Sequence, residues 1–372
     1  MGDKIRIGVI FGGRSGEHEV SLMSARSLLS VLDPQKYTVT QIGITHTGTW
    51  VTGEAVLDAL QNGRAVELQP AAILPDPARP GLYGVSTRQS GNALKLLGQL
   101  DVVFPVLHGT FGEDGTLQGL LELADLAYVG AGVLGSSVGM DKALFKDVMR
   151  ANGIPVPKSI TVTRRQIEAA MEQVLDQVET LAAYPYFVKP ANLGSSVGVS
   201  KVHSRSDLYE GILEAARYDR RILIEQGING REIEVSVLGN EEPVASVPGE
   251  VIPSDDFYTY RAKYMDDRSE LIIPARVPET VTAALQDYAL RAYKAIDCAG
   301  MARVDFLLDK DSDAIFVSEI NTIPGFTRIS MYPKLWQASG IGYPELVDRL
   351  IELALERKAE RDHTDRHYGG EE

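Results

Sequence analysis

Between Ala302 and Asn321 the chain reads ARVDFLLDKDSDAIFVSEIN, two runs of Val, Phe, Leu and Ile around a polar tip from Asp309 to Asp313. The pattern predicts two antiparallel strands and a turn. With the turn centred near Ser312, Asp305 falls opposite Glu319 and Arg303 opposite Asn321. Side chains alternate faces along a strand, so these four project to one side while Val304, Phe306, Phe316 and Ile320 project to the other. Facing residues have Cβ atoms only about 5 Å apart, where like charges repel. A cation must therefore lie between the two acids. Two carboxylates and an amide oxygen form a hard, oxygen-only donor set, suited to Mg²⁺ shared with a phosphate and poorly suited to zinc. Asn321 runs directly into Thr322-Ile323-Pro324-Gly325, a turn whose backbone donors can approach an anion.

A second stretch carries complementary chemistry. Gly194-Ser195-Ser196-Val197-Gly198 is a run of small residues between two predicted strands, able to fold backbone N–H groups over phosphate oxygens, with Lys189 just before it as a point charge. No G-K-[ST] follows, so it is not a Walker loop. Alone it is a flexible turn; with an acid hairpin downstream it becomes a nucleotide-phosphate site. Lys142 stands in a predicted first helical turn, against the helix field, which marks an anionic neighbour. Read singly, other polar residues have plain explanations. Glu17 suits the positive end of the helix that follows it, His108 suits a structural hydrogen bond, and Lys263 and Tyr264 suit a solvated loop. Cys298 reads as core, and His18, His46, His203, His363 and His367 show no ligand spacing.

The elements that must position these groups are legible in outline. Lys4–Phe11 is an apolar strand ending in Gly12-Gly13-Arg14-Ser15-Gly16. The helix Glu19–Leu32 and the strand Tyr37–Ile44 complete a βαβ unit whose glycines do not fit G-x-G-x-x-G. Gly48–Gly98 reads as loops and short strands around an insertion. Leu100–Leu107 is a buried strand leading into His108-Gly109-Thr110-Phe111-Gly112-Glu113-Asp114-Gly115. Helices are expected at Thr116–Ala124, Lys142–Asn152, Arg164–Thr180, Ser206–Tyr218, Glu279–Ile296 and from Pro344 to about Glu360. Further strands are expected at Ala127–Val129, Tyr186–Lys189, Arg221–Glu225 and Glu232–Leu238. Pro253–Glu270 reads as a mobile loop. The divisions fall at 1–130, 131–227 and 228–360, with a polar tail at 361–372 expected to be disordered.

Composition excludes several classes. At 372 residues, with 44% hydrophobic and 24% charged residues, the chain is a globular protein of two or three domains. A net charge of −14 argues against nucleic acid or an anionic membrane as partner. The one cysteine excludes an internal disulfide and fits a reducing, cytoplasmic compartment. The apolar run after Met1 is too short for a signal peptide.

Taken in order, Gly12-Gly13-Arg14-Ser15-Gly16-Glu17-His18-Glu19-Val20-Ser21, the 108–115 turn, Lys189-Pro190 with Gly194–Gly198, Ala262-Lys263-Tyr264, Arg303-Val304-Asp305 and Glu319-Ile320-Asn321-Thr322-Ile323-Pro324-Gly325 resemble the ATP-grasp superfamily. Within it they resemble the D-alanine–D-alanine ligases, over residues 8 to 331. The resemblance implies an α/β (α+β) three-domain ATP-grasp fold with an N-terminal Rossmann-like domain. It implies ATP-dependent joining of two D-alanines through a D-alanyl phosphate, for peptidoglycan precursors, by a cytoplasmic homodimer. Two Mg²⁺, replaceable by Mn²⁺, would sit on Asp305, Glu319 and Asn321. Lys142, Lys189, Ser196 and Lys263 would meet ATP phosphates, and Glu225, Gln226, Ile228 and Glu232 the adenosine. Glu17 would take the first ammonium with His108 nearby, Ser195 and Tyr264 would complete a hydrogen-bonded set with Glu17, and Arg303 and the Gly325 N–H would stabilise the oxyanion. Ser330 and Met331, the latter in place of an expected leucine, would hold the second carboxylate. Tyr264 implies a dipeptide product, since D-lactate-using relatives lack it. The rival readings are a D-Ala–D-Ser or D-Ala–D-Lac ligase, another carboxylate–amine ligase of this fold, and a nucleotide-binding regulator without catalysis.

Overall fold

The computed structural model describes residues 4–88, 91–194, 196–252 and 270–365. Ser195, Lys263 and Tyr264, and the expected loop up to residue 269, lie outside the described residues. The fold is mixed α/β and built on three sheets.

The first sheet starts from β1 (Ile5–Gly12), α1 (His18–Leu29) and β2 (Tyr37–Ile44), with the strands parallel from Ile5 opposite Tyr37 to Gly12 opposite Ile44. The stretch expected to be an irregular insertion is instead ordered sheet. β3 (Trp50–Thr52), α2 (Val56–Gln61), β4 (Gln69–Ile73), β5 (Leu82–Arg88) and β6 (Gly91–Gly98) continue it as an antiparallel meander. Prolines at 70, 75, 77 and 80 obscure this in the sequence, yet Pro70 sits in β4 near its start, where a strand tolerates it. On the other side of β1 lie β7 (Val102–Pro105), α3 (Thr116–Leu123) and β8 (Ala127–Tyr128), giving the order β6-β5-β4-β3-β2-β1-β7-β8. The parallel strands β2 and β7 flank β1, so their connections diverge and leave a crevice at the carboxyl end of β1. Gly12 and Gly13 turn the chain there with φ of +93° and +102°.

Two helices follow, α4 (Val133–Met140) and α5 (Lys142–Ala151). The sequence gives no sign of α4, because VLGSSVGM has the composition of a loop. Its glycines are contact positions: a Cβ on Gly139 would lie 3.0 Å from Thr322 Cγ2, and one on Gly135 3.0 Å from Asp297 O. The second sheet, ordered β11-β10-β12-β9, comprises β9 (Ser159–Thr163), β10 (Tyr186–Pro190), β11 (Ser200–Val202) and β12 (Arg221–Gln226). α6 (Arg164–Glu179) and α7 (Arg205–Tyr218) cover it through Ile167, Val174, Val178, Leu208 and Ile212. α6 starts with a capping box of Thr163 and Gln166, and Ser204 caps α7.

The third sheet holds β13 (Gly230–Gly239), β14 (Val244–Ala245), β15 (Gly249–Ile252), β16 (Glu270–Ile272), β17 (Gly300–Asp309) and β18 (Ile315–Asn321). α8 (Glu279–Ala295) buries Leu285, Ala289, Ala292 and Tyr293 against Val235, Val237, Ala302 and Val304. The chain closes with α9 (Met331–Ala338) and α10 (Tyr343–Asp362). α10 returns to the first sheet, with Leu346, Val347, Leu350 and Ile351 in one core with Ile7, Val9, Val102 and Phe104. It reaches two residues into the stretch expected to be a polar tail: Arg361 pairs with Glu122 and, at 3.1 Å, with Asp125. No described helix is long and apolar enough to cross a membrane.

A Cβ on Gly12 would stand 2.2 Å from Ile44 O, a backbone clash that no side-chain rotation relieves. Gly12→Ala is expected to lower unfolding free energy by about 2 kcal/mol or more in urea denaturation. Gly13→Ala, whose Cβ would meet only Leu107 Cδ2 at 3.4 Å, should lose clearly less.

Candidate functional site

The hairpin of β17 and β18 has the register its sequence predicts: Arg303 faces Asn321 and Asp305 faces Glu319. The pairing slips just beyond Asp305, where Phe306 faces Val317 and Ser318 becomes the extra residue of a bulge. The freed Ser318 carbonyl accepts a hydrogen bond from Lys146 Nζ at 3.1 Å. Cations already separate the opposed acids. Arg303 donates from Nε and Nη2 to the two Asp305 oxygens, both at 2.7 Å, and its Nε lies 3.0 Å from Glu234 Oε2. Lys142 Nζ lies 3.6 Å from Glu319 Oε2. Asn321 Nδ2 donates to Asp305 Oδ2 at 2.9 Å. Arg303 and Lys142 thus place positive charge beside both acids. The donor set still fits a divalent cation, since Asp305, Glu319 and Asn321 offer clustered hard oxygens on one partly buried face.

Lys142 also ties the hairpin to the small-residue loop. It is the first residue of α5, capped by Asp141, and its Nζ donates to Leu193 O at 3.0 Å while its backbone N–H donates to Ala191 O at 2.8 Å. Ser196 has φ of +56° in that loop. Lys189, on β10, contacts Glu225 on β12, and Lys146 Nζ lies 2.9 Å from Glu225 Oε2. Burial alone would raise the Glu225 pKa, but the ammoniums of Lys146 and Lys189 outweigh it and push it down to about 2. The carboxylate that the resemblance assigns to adenosine is thus held between two lysines. Gln226 ends β12, its N–H donating to Lys158 O at 2.8 Å. Ile228 lies in the short linker to β13, and Glu232 on β13 opposite Val251 and Leu307.

The third component is an acid pocket. Glu17 stands at the N-cap of α1 without a capping hydrogen bond from its side chain, where its charge still suits the positive end of the helix. Its carboxylate is wedged between glycines of two different loops: a Cβ on Gly109 would lie 2.5 Å from Oε2, and one on Gly194 2.9 Å. Glu113 accepts from Gly109 N–H at 2.7 Å and from Ile323 N–H at 3.2 Å. Burial, then the nearby Glu17 charge, raise its pKa to about 8. His108 Nδ1 donates to Ile323 O at 3.0 Å, and its Nε2 accepts from Ser24 Oγ at 2.9 Å. Both ring nitrogens are occupied and the residue is 3% exposed, so His108 holds the Ile323 turn. Burial lowers its pKa, keeping the ring neutral. The Ile323 peptide is thus gripped on both edges, which fixes the buried Gly325 two residues on. No hydrogen bond among the described residues takes up the Gly325 N–H.

Ser330 caps the turn before α9, its Oγ accepting from Thr327 N–H at 3.1 Å. Met331 packs its side chain on Val251 and Leu335, leaving its backbone toward the turn. Residues missed in the sequence are Lys146, Glu113 and Glu234. Lys146 lies one helical turn after Lys142, and Glu113 sits inside the quoted 108–115 turn. Their spacing held the signal, but each needs a partner distant in sequence to acquire meaning.

Profiles described as D-ala D-ala ligase N-terminus and D-ala D-ala ligase C-terminus match residues 6–131 and 148–352. The chain is 51% identical over 358 residues to the D-alanine–D-alanine ligase of Heliobacterium modesticaldum, covering 96% of each chain. The structure of the D-alanine–D-alanine ligase from Coxiella burnetii superposes with a TM-score of 0.80 at 39% identity, over 97% of both chains. That of the VanG D-Ala:D-Ser ligase from Enterococcus faecalis gives 0.84 at 36%, over 95% of this chain and all of that one. These likenesses run through the hairpin, the small-residue loop and the acid pocket alike, and the chain belongs to the D-alanine–D-alanine ligase family.

Proposed function

We propose that this chain joins two D-alanines at the expense of ATP, supplying D-alanyl-D-alanine for peptidoglycan. The observation that carries the reading is Lys142, whose ammonium lies 3.0 Å from Leu193 O and 3.6 Å from Glu319. One side chain joins the phosphate-type loop to the hard-oxygen face, where a γ-phosphate would sit. Asp305, Glu319 and Asn321 would hold two Mg²⁺, replaceable by Mn²⁺, which neutralise phosphate charge when bound.

The carboxylate of the first D-alanine attacks the γ-phosphorus and ADP leaves. The amine of the second attacks the resulting acyl carbon, and phosphate leaves. Glu17, with Glu113 beside it, orients the first ammonium. Arg303 and the Gly325 N–H meet the oxyanion of the tetrahedral intermediate. Lys142 and Lys189 with Ser196 hold phosphates, and Gln226, Ile228 and Glu232 flank the adenosine. Ser330 and the Met331 backbone take the second carboxylate. Family resemblance assigns Lys263 to the γ-phosphate, and Tyr264 with Ser195 to closing the site. It also supports a cytoplasmic homodimer.

A D-serine-accepting reading is kept by one observation, the 0.84 TM-score to the D-Ala:D-Ser ligase. ADP release with D-alanine alone, against D-alanine with D-serine or D-lactate and mass analysis of products, decides between them. D-Alanyl-D-alanine is expected to dominate, and a mixed product in excess would move the assignment. No ADP release with any D-amino acid would leave only the regulator reading.

Glu319→Gln removes one charge from the hard-oxygen face while keeping its shape, and kcat should fall at least about 100-fold with unchanged Tm. Glu113 gives a pH signature. Its folded pKa of about 8 lies above the ordinary 4.5, so its contribution to stability is complete below the unfolded value and is lost as pH rises through 8. Glu113→Gln should therefore gain in Tm relative to the parent between pH 6 and 9. Binding of D-alanine without ATP, its ammonium offsetting the paired acids, should release protons, read as buffer-dependent enthalpy in calorimetry and absent in the variant.

A further inference from the structure

The other histidines, unassigned by spacing, are not all idle. Among the described residues, His18, Glu19 and His46 place one ligand atom each within 4.8 Å of one another. His18 and Glu19 open α1, and His46 comes from the turn after β2, so only the βαβ fold brings them together. The two imidazoles stack at 3.7 Å between centroids, and His46 Nε2 lies 3.7 Å from Glu19 Oε1. We propose that His18, Glu19 and His46 form a zinc-type metal site, separate from the oxygen-only face of Asp305, Glu319 and Asn321.

Two features favour it. His18 Nδ1 donates to Gly13 O at 2.7 Å, which fixes the ring and leaves Nε2 with its lone pair, as metal-binding histidines are usually held by a backbone carbonyl. Ligands of a tetrahedral zinc at 2.0–2.2 Å stand about 3.3 Å apart; the Glu19–His46 separation of 3.7 Å is close to that. Glu19 and His46 are both exposed; His46 would turn out of the stack so that its lone pair converges with that of His18, and Glu19 would rotate to close the remaining gap. Two imidazoles and one carboxylate suit Zn²⁺ and leave a fourth position for water, whereas Mg²⁺ prefers the all-oxygen face. The positive end of α1 opposes a cation here, and Glu19 supplies the charge that offsets it. The ion would clip the first turn of α1, and so the backbone next to Glu17, to the turn after β2.

The test uses tag-free full-length protein in millimolar Mg²⁺, titrated with Zn²⁺ by calorimetry and with Cu²⁺ by electron paramagnetic resonance. One Zn²⁺ per chain is expected, with affinity falling at least about tenfold in His46→Ala and in Glu19→Gln and retained in Asp305→Asn. Cu²⁺ should show imidazole nitrogen splitting that His46→Ala reduces. Equal affinity in parent, His46→Ala and Glu19→Gln, or an oxygen-only Cu²⁺ spectrum, overturns the site. So does loss of Zn²⁺ binding in Asp305→Asn, which would place the ion on the catalytic face.

Discussion

The site depends on interleaved charge. Glu225, Glu234, Asp305 and Glu319 line the space between the second and third sheets, and Lys146, Lys189, Arg303 and Lys142 stand between them. Oppositely charged groups 4 Å apart attract by about 4 kcal/mol at an effective dielectric near 20. Desolvation removes much of that, so the network is better read as a positioning device than as a source of stability. Its value lies in geometry: removing Glu225, which Lys146 and Lys189 share, would take a partner from both ammoniums. On the proposed function, Lys142 and Lys189 stand where a phosphate would displace their carboxylate contacts.

That network needs backbone from all three sheets to approach closely, and glycines permit it. Gly109 and Gly194 both touch Glu17, from the loop after β7 and the loop after β10. Gly300, with φ of +70°, comes within 3.1 Å of Gly130 N measured from a Cβ position it lacks. α10 adds the covering contact from the far end of the chain: Arg357 reaches the carbonyl of Gly130 and, at 3.2 Å, that of Tyr128. The acid pocket is consequently shared property. Glu113 and His108 belong to the loop after β7, yet what they hold is the Ile323 peptide after β18. Motion of the first sheet relative to the third would move the Gly325 N–H with it.

Much of this was legible in the sequence where chemistry is local. The hairpin register followed from counting residues around one turn, and the metal-type donors followed from alternation. Legibility ended where meaning comes from a distant partner. That Lys146 and Lys189 close on Glu225 is invisible in the sequence. So are Ser24 and Ile323 as the partners of the two His108 nitrogens. α4 is hidden because its glycines, poor for a helix in isolation, serve packing against Thr322. The meander from β3 to β6 is hidden because prolines at its turns resemble an insertion. The bulge at Ser318 has no sequence mark, and its role appears only with the Lys146 ammonium beneath it.

The charge count also bears on how a polyanion enters a chain of net charge −14. Within the cleft the four named acids and four named cations cancel, so the resting site is close to neutral and not strongly attractive to a nucleotide. Each lysine freed for a phosphate leaves its carboxylate uncompensated. Asp305 and Glu319, once Arg303 or Lys142 turns toward the reacting groups, would again oppose each other across the hairpin. A divalent cation arriving with the nucleotide removes both difficulties at once, since it supplies charge to the phosphates and to these acids. Coupling of metal to nucleotide is therefore a consequence of the resting ion pairs.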